Sequence, residues 1–122
     1  MIGYVTLGSN DFEKAKAFFD VVLAPLGGER TMSGETMQGN GGPGEGPMLG
    51  ICKPYDGKPA TGGNGTMVAL TAKSREIVDA VHAAAIAAGG LDEGAAGLRG
   101  ETFYGAYFRD LDSNKLCVFH YG

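Results

Sequence analysis

The side chains that could ligate a metal or attack a substrate are few in this chain of 122 residues. It has two histidines, His82 and His120, and two cysteines, Cys52 and Cys117. The cysteines lack the close paired spacing of zinc fingers and redox motifs. A divalent ion that prefers imidazole or carboxylate needs several such donors converging on one point. The sequence therefore predicts free thiols, as expected in a reducing cytoplasm, and no metal motif.

A glycine-rich segment has the spacing of a dinucleotide fingerprint, Gly39-x-Gly41-x-x-Gly44. That fingerprint needs a strand before it and the start of a helix after it. Here Pro43 and further glycines interrupt it, and no apolar residue between 39 and 46 could anchor the segment to a core. We expect a mobile loop over 39–46.

A second segment, Asp110-x-Asp112-x-Asn114, begins like a calcium loop. Position six of such a loop requires glycine, and a bidentate glutamate must close it. Lys115 occupies position six, and no such glutamate follows. Aspartate and asparagine are also common in tight turns, because their short side chains bond to nearby backbone. A hairpin turn explains these residues better.

Composition limits the possible classes of protein. Hydrophobic residues make up 43% of the chain and charged residues 20%, with a formal net charge of −4. These values predict one domain over 1–122. No apolar run approaches the roughly 20 residues of a membrane span, and the first residues lack the features of an export signal. The negative charge argues against a nucleic-acid surface. We expect a cytoplasmic protein that binds neither nucleic acid nor membrane.

The first half of the chain predicts a strand, a helix and further short strands. The β-branched run 2–7 favours a strand, and Asn10 is expected to cap the helix that follows. Apolar residues then recur at helical spacing until Gly27-Gly28 stops the helix. One or two short strands are expected over 29–37 and another over 48–53.

The same order then begins again, which predicts an internal repeat. A strand is expected over 65–71, and Ser74 caps a second helix that ends at Gly89-Gly90. A short strand and loop are expected over 91–100. Each half therefore has a strand and a helix followed by two or three strands.

The chain closes with a predicted hairpin, 103–121, whose aromatic-rich runs flank the polar turn. Alternation along the second strand puts Cys117 and Phe119 on one face and His120 on the other. His120 is thus expected to point toward the helix layer or solvent, and His82 is expected on the surface of the second helix.

The run Tyr-Phe-Arg-Asp-Leu-Asp-Ser-Asn-Lys-Leu-Cys, 107–117, resembles the closing hairpin of the vicinal oxygen chelate superfamily, which includes glyoxalases, bleomycin-resistance proteins and dioxygenases. Family members typically have Pro and Gly where this chain has Leu111 and Ser113. The segments 53–60, 63–66 and 88–90 are similar to one glyoxalase-like subgroup. The resemblance extends over essentially the whole chain.

This resemblance implies an α+β fold of two βαβββ modules, about 1–54 and about 64–122, with curved mixed sheets enclosing a cleft. It also implies a homodimer. Enzymes of the superfamily place one metal ligand on the first and last strand of each module. In this chain those positions fall at Tyr4, Gly50, Met67 and Cys117, none of which is a usual ligand. We therefore expect no metal, no cofactor and no catalytic residue, although any enzyme activity would resemble a glyoxalase-like lyase.

The favoured function is metal-free binding of a small apolar or aromatic molecule in the cleft, as in the bleomycin-resistance branch. A glyoxalase-like lyase and a partner module with a filled cleft remain alternatives. Whether Cys52 or Cys117 is reactive also remains open, because a buried cysteine is usually a small hydrophobe. The predicted ligand-binding residues are Tyr4, Thr6, Gly50, Met67, Tyr107, Arg109, Cys117 and Phe119.

Overall fold

The computed structural model describes residues 1–122 and contains two four-stranded mixed sheets and two α-helices. The elements of the first half are β1 (Tyr4–Gly8), α1 (Phe12–Leu23), a 3₁₀ turn (Ala24–Leu26), β2 (Glu29–Ser33), β3 (Met37–Gly41) and β4 (Met48–Cys52). Those of the second half are β5 (Val68–Thr71), α2 (Arg75–Ala87), β6 (Leu91–Leu98), β7 (Phe103–Arg109) and β8 (Lys115–Tyr121). This confirms the predicted α+β fold with a repeated βαβββ order.

The two sheets have the same topology, with strand orders β1-β4-β3-β2 and β5-β8-β7-β6. In each sheet the first strand of the half pairs parallel with the last strand, and the remaining pairs are antiparallel. A parallel pair cannot be joined by a tight turn, so the chain must cross over between them. The helix of each half provides part of that crossover.

The helix starts follow from side-chain caps. The Ser74 hydroxyl accepts a hydrogen bond from the Ile77 amide at 3.2 Å, as predicted. The prediction that Asn10 caps α1 is wrong, because the carboxylate of Asp11 accepts the bond from the Lys14 amide. Both residue types cap well, and Asn10 is bonded elsewhere. Neither helix is long and apolar enough to cross a membrane.

Two strand boundaries differ from those predicted. Gly39 and Gly41, assigned to a mobile loop, lie in β3 and pair with β4, so the connection is limited to residues 42–47. The sequence suggested a loop because glycine is unfavourable in strands. Met67 lies just before β5 rather than within a strand.

One apolar core joins the two halves. A cluster of 17 buried residues includes the inner faces of both sheets and the facing sides of α1 and α2. The ring centroid of Phe18 on α1 lies 6.5 Å from that of Phe108 on β7. The opposite sheet faces are not covered by helix: Tyr4 is 59% exposed and Met67 44%. In the single chain, therefore, the sheets are open and do not enclose the predicted cleft.

A polar latch, formed by Gly8, Asn10, Ala60, Asp112 and Asn114, connects the halves at the end of β1. The Asn10 backbone N–H donates to Asp112 Oδ1 at 2.8 Å. The Asn10 side chain donates to the Ala60 carbonyl and accepts from the Ala60 backbone N–H. Asn114 Nδ2 donates to the Gly8 carbonyl at 3.0 Å. Both modules thus contribute to the latch.

Asn114 is tied to a buried carboxylate as well. Its backbone N–H donates to Asp110 Oδ1 and its side-chain Nδ2 donates to Asp110 Oδ2, both at 2.8 Å. Burial raises the pKa of Asp110, while the bonds from Asn114 and Asp112 act in the opposite direction. The hairpin turn therefore depends on a side chain that also bonds to the other half.

Replacing this side chain should destabilise the whole domain. Asn114→Ala leaves the Gly8 carbonyl and one Asp110 oxygen without their partner, so we expect a loss of about 2–4 kcal/mol in the free energy of unfolding. Urea denaturation measures this loss in the free energy of unfolding. Asn64→Ala, at an exposed linker position, is the control. Equal stability of the two variants would contradict the latch.

Candidate functional site

The open face of the second sheet gathers half of the predicted site residues. Register pairs Tyr107 with Cys117, Gly105 with Phe119, and Arg109 with Lys115. Paired residues share a face, and the neighbouring residues Phe108, Leu116 and Val118 are buried in the core. The predicted residues Tyr107, Arg109, Cys117 and Phe119 therefore lie together on the side away from α2.

An aromatic cluster forms one end of this face. The rings of Phe103 and Phe119 stack with centroids 5.2 Å apart and an interplanar angle of 10°. Tyr121 meets both rings edge-on, at 5.4 and 5.5 Å. Tyr121 is 66% exposed, so an aromatic surface remains available to a ligand.

Tyr107 and Cys117 form the centre of the face. Cys117 is buried, with 1% of its surface exposed. Burial raises the pKa of the Cys117 thiol, while contact with Tyr107 and the charges of Arg99 and Lys115 partly offset this. Burial also raises the pKa of Tyr107, with a further contribution from Cys117. Both groups are therefore neutral near pH 7, an arrangement that suits packing better than nucleophilic attack.

The other end of the face carries cationic side chains, but Arg109, the one predicted to contact a ligand, is already paired with Glu93. Arg109 Nε lies 2.5 Å from Glu93 Oε1, and Nη1 donates to the Ser113 carbonyl. Two further cations lie near the Tyr107 ring: Arg99 at 5.6 Å and Lys115 at 5.8 Å from its centroid. Sequence reasoning missed both, and nothing in the local sequence places Arg99 here.

The first sheet has a different open face, built from glycines covered by methionines. A Cβ on Gly50 would lie 3.1 Å from Met37 Cε and 3.3 Å from Thr6 Cγ2, and one on Gly39 would lie 3.4 Å from Met48 Sδ. Tyr4 and Thr6 are exposed along β1. The predicted residues Tyr4, Thr6 and Gly50 therefore share this sheet.

The residues at the metal-ligand positions do not fit a catalytic metal. Tyr4, Gly50, Met67 and Cys117 provide one phenol, one thioether and one thiol whose pKa is raised by burial, and hard divalent ions prefer carboxylate or imidazole donors. The structure contains no group of three or more His, Cys, Asp or Glu side chains that could hold a metal.

Both histidines have other partners. His120 Nδ1 lies 2.8 Å from the Ala72 carbonyl oxygen. His82 Nε2 lies 3.0 Å from Asp92 Oδ1, and its side chain is only 14% exposed. His82 therefore lies partly buried at the surface of α2, where it contacts Asp92 of β6.

A depression of about 630 Å³ lies beside the latch, and its surface is polar and apolar in about equal parts. Asn10, Asp11, Lys14 and Asp112 line it, and none of the predicted ligand-binding residues does. A second, of about 360 Å³, lies next to it along the linker. The predicted ligand-binding residues therefore lie outside both depressions.

The paired βαβββ architecture with two open sheet faces is shared with solved structures of glyoxalase/bleomycin resistance proteins. A glyoxalase/bleomycin resistance protein from Albidiferax ferrireducens T118 is 39% identical in sequence, with a TM-score of 0.91 over 100% of this chain and 99% of that one. The chain belongs to the glyoxalase/bleomycin resistance protein family, in agreement with the resemblance to the vicinal oxygen chelate superfamily. No family model and no curated protein matches it.

More distant structures share the fold alone. A glyoxalase/bleomycin resistance protein/dioxygenase family enzyme from Burkholderia phytofirmans PsJN is 18% identical, with a TM-score of 0.78 over 98% of both chains. A lactoylglutathione lyase from Agrobacterium tumefaciens is also 18% identical, with a TM-score of 0.70 over 98% of this chain and 92% of that one.

Proposed function

We propose that this protein binds a small, flat, apolar or aromatic molecule at its open sheet faces without using a metal. The observation that carries the proposal is the aromatic face of the second sheet, where Phe103, Phe119 and Tyr121 pack around one another and Tyr121 stays exposed. Such a face offers stacking and edge contacts to another ring. The unsuitable donor set at the ligand positions supports binding over metal-assisted chemistry.

The first sheet would supply the second wall. Met37, Met48 and Met32 lie over its glycines, and methionine side chains adapt to ligands of different shape because they are unbranched and polarizable. Tyr4, Thr6 and Gly50 would contact the ligand from this side, and Met67 from the start of β5.

A two-fold dimer would complete the site, because the single chain leaves both faces open. Tyr4, Met32, Met67, Leu98 and Tyr121 are large apolar or aromatic side chains, each more than 40% exposed. A second copy would cover part of this surface and gain hydrophobic stabilisation. We place the protein in the cytoplasm, where its two free cysteines would stay reduced.

Ligand binding is tested by a thermal-shift screen of aromatic and phosphorylated metabolites, followed by variants. Aromatic compounds should raise the melting temperature. Met67→Asp should weaken an aromatic hit by about tenfold, because a carboxylate at the wall must be desolvated. Tyr55→Asp, at a fully exposed linker position, is the matched control. Stabilisation by phosphorylated compounds alone, or an unaffected hit in Met67→Asp, would show that the site lies elsewhere.

Metal analysis separates binding from the lyase alternative. Purified protein should contain no stoichiometric zinc, nickel, iron or manganese, and a chelator should leave its melting temperature unchanged. The hemithioacetal of methylglyoxal and glutathione should not be turned over, since that proton transfer needs a polarised oxygen and a base. One tightly held metal per chain together with turnover would favour the lyase.

Light scattering tests the dimer. A mass of about twice 12.6 kDa is expected at micromolar concentration, since large exposed apolar surface favours association. A mass near 12.6 kDa would contradict it.

A further inference from the structure

The guanidinium of Arg99 is held flat against β6. Nη1 donates to the Gly97 carbonyl at 2.9 Å, and Nη2 donates to the Ala95 carbonyl at 2.7 Å. β6 is irregular at this point, with register shifts between Asp92 and Gly94 and between Gly94 and Gly97. The irregular strand thus presents two carbonyls to one side chain.

Two glycines make room for this guanidinium. A Cβ on Gly94 would lie 3.2 Å from Arg99 Nη2, and a Cβ on Gly97 would lie 3.3 Å from Nη1. Both distances are shorter than ordinary van der Waals contact. Because these positions have no side chain, the planar group lies on the strand beside the Tyr107 ring.

The charge fixed in this way has no acidic partner. The ion pairs of the structure join Lys14 to Asp11, Lys16 to Glu13, Arg30 to Asp20, His82 to Asp92 and Arg109 to Glu93. Neither Arg99 nor Lys115 takes part in one, although both approach the Tyr107 ring. A guanidinium has five N–H donors, and only two bonds from Arg99 are used. The remaining donors are available to an anion.

We infer that Arg99 and Lys115 bind the carboxylate of an aromatic acid whose ring rests on the aromatic cluster of Phe103, Phe119 and Tyr121. This deepens the proposed function and rests on it. Along β8, Phe119 is two residues, or about 6.7 Å, from Cys117, which is paired with Tyr107, and this backbone spacing suits a ligand of the length of a small aromatic acid. The fixed guanidinium loses little entropy when it binds a planar carboxylate.

A purely structural role for Arg99, bracing the irregular strand, makes a different prediction. Bracing alone would affect stability and would not distinguish a charged ligand from a neutral one. A matched pair of probes, cinnamate and its uncharged amide cinnamamide, separates these roles, because the two differ in charge while sharing ring and length.

Isothermal titration calorimetry of the full chain with both probes provides the first test. Cinnamate should bind about tenfold more tightly than cinnamamide, since hydrogen bonds to charged groups contribute more than neutral ones. Arg99→Gln and Lys115→Gln should each weaken cinnamate by about threefold, so that together they remove the preference, and should leave cinnamamide unchanged. Arg75→Gln is the matched control, because Arg75 lies 5.2 Å from the Tyr104 ring in a similar contact, on the sheet face opposite Tyr107.

Gly97→Ala tests the position of the guanidinium without removing a charge. Its new methyl group would lie 3.3 Å from Arg99 Nη1 and shift the guanidinium by a few tenths of an ångström, so cinnamate should weaken while cinnamamide does not. A wild-type protein that binds both probes equally overturns the carboxylate inference and leaves the proposed function standing. A preference for cinnamate that survives in the double variant Arg99→Gln, Lys115→Gln also overturns it. Binding of neither probe overturns the proposed function and this inference together.

Discussion

Each sheet is covered by a helix on one face only, and the rest of the structure depends on this constraint. The inner faces and the two helices share one apolar core in which Phe19, Val22, Val78 and Val81 are fully buried. Burying this surface is the main favourable term in folding. The chain has no third layer with which to cover the opposite faces, so they remain open. Surface available for binding is thus a direct result of the way the core is built.

The two open faces have become chemically different although they share one topology. In the first sheet, Gly39 and Gly50 lie beneath methionines, which gives an adaptable apolar wall. In the second, Gly94 and Gly97 lie beneath a guanidinium. In both cases the missing Cβ lets a long side chain lie flat on the strand. Part of the high glycine content, 22 of 122 residues, therefore serves these faces.

The sequence was sufficient to predict the repeated element order, because apolar periodicity and the Ser74 cap are local signals. It was also sufficient to predict that Cys117 and His120 lie on opposite faces of the last strand. It could not predict the bond between Asn10 and Asp112, because this contact joins residues far apart in the chain. Nor could it predict the position of Arg99, which depends on where β6 loses its regular pairing. Contacts that depend on register shifts or on packing between modules produce no regular sequence pattern, so they cannot be predicted from periodicity.

The shared core also determines how the domain comes apart. The rings of Phe18 and Phe108 belong to different halves and lie 6.5 Å apart, so neither half can open its interior without exposing the other. Repeats that keep separate cores can melt one at a time, whereas we expect these two to melt in one cooperative transition. Amide protons in β4 and β8, the second strand in from the edge of each sheet, should then exchange with solvent through the same global opening. We therefore expect the duplicated pattern of the sequence to describe one folding unit rather than two.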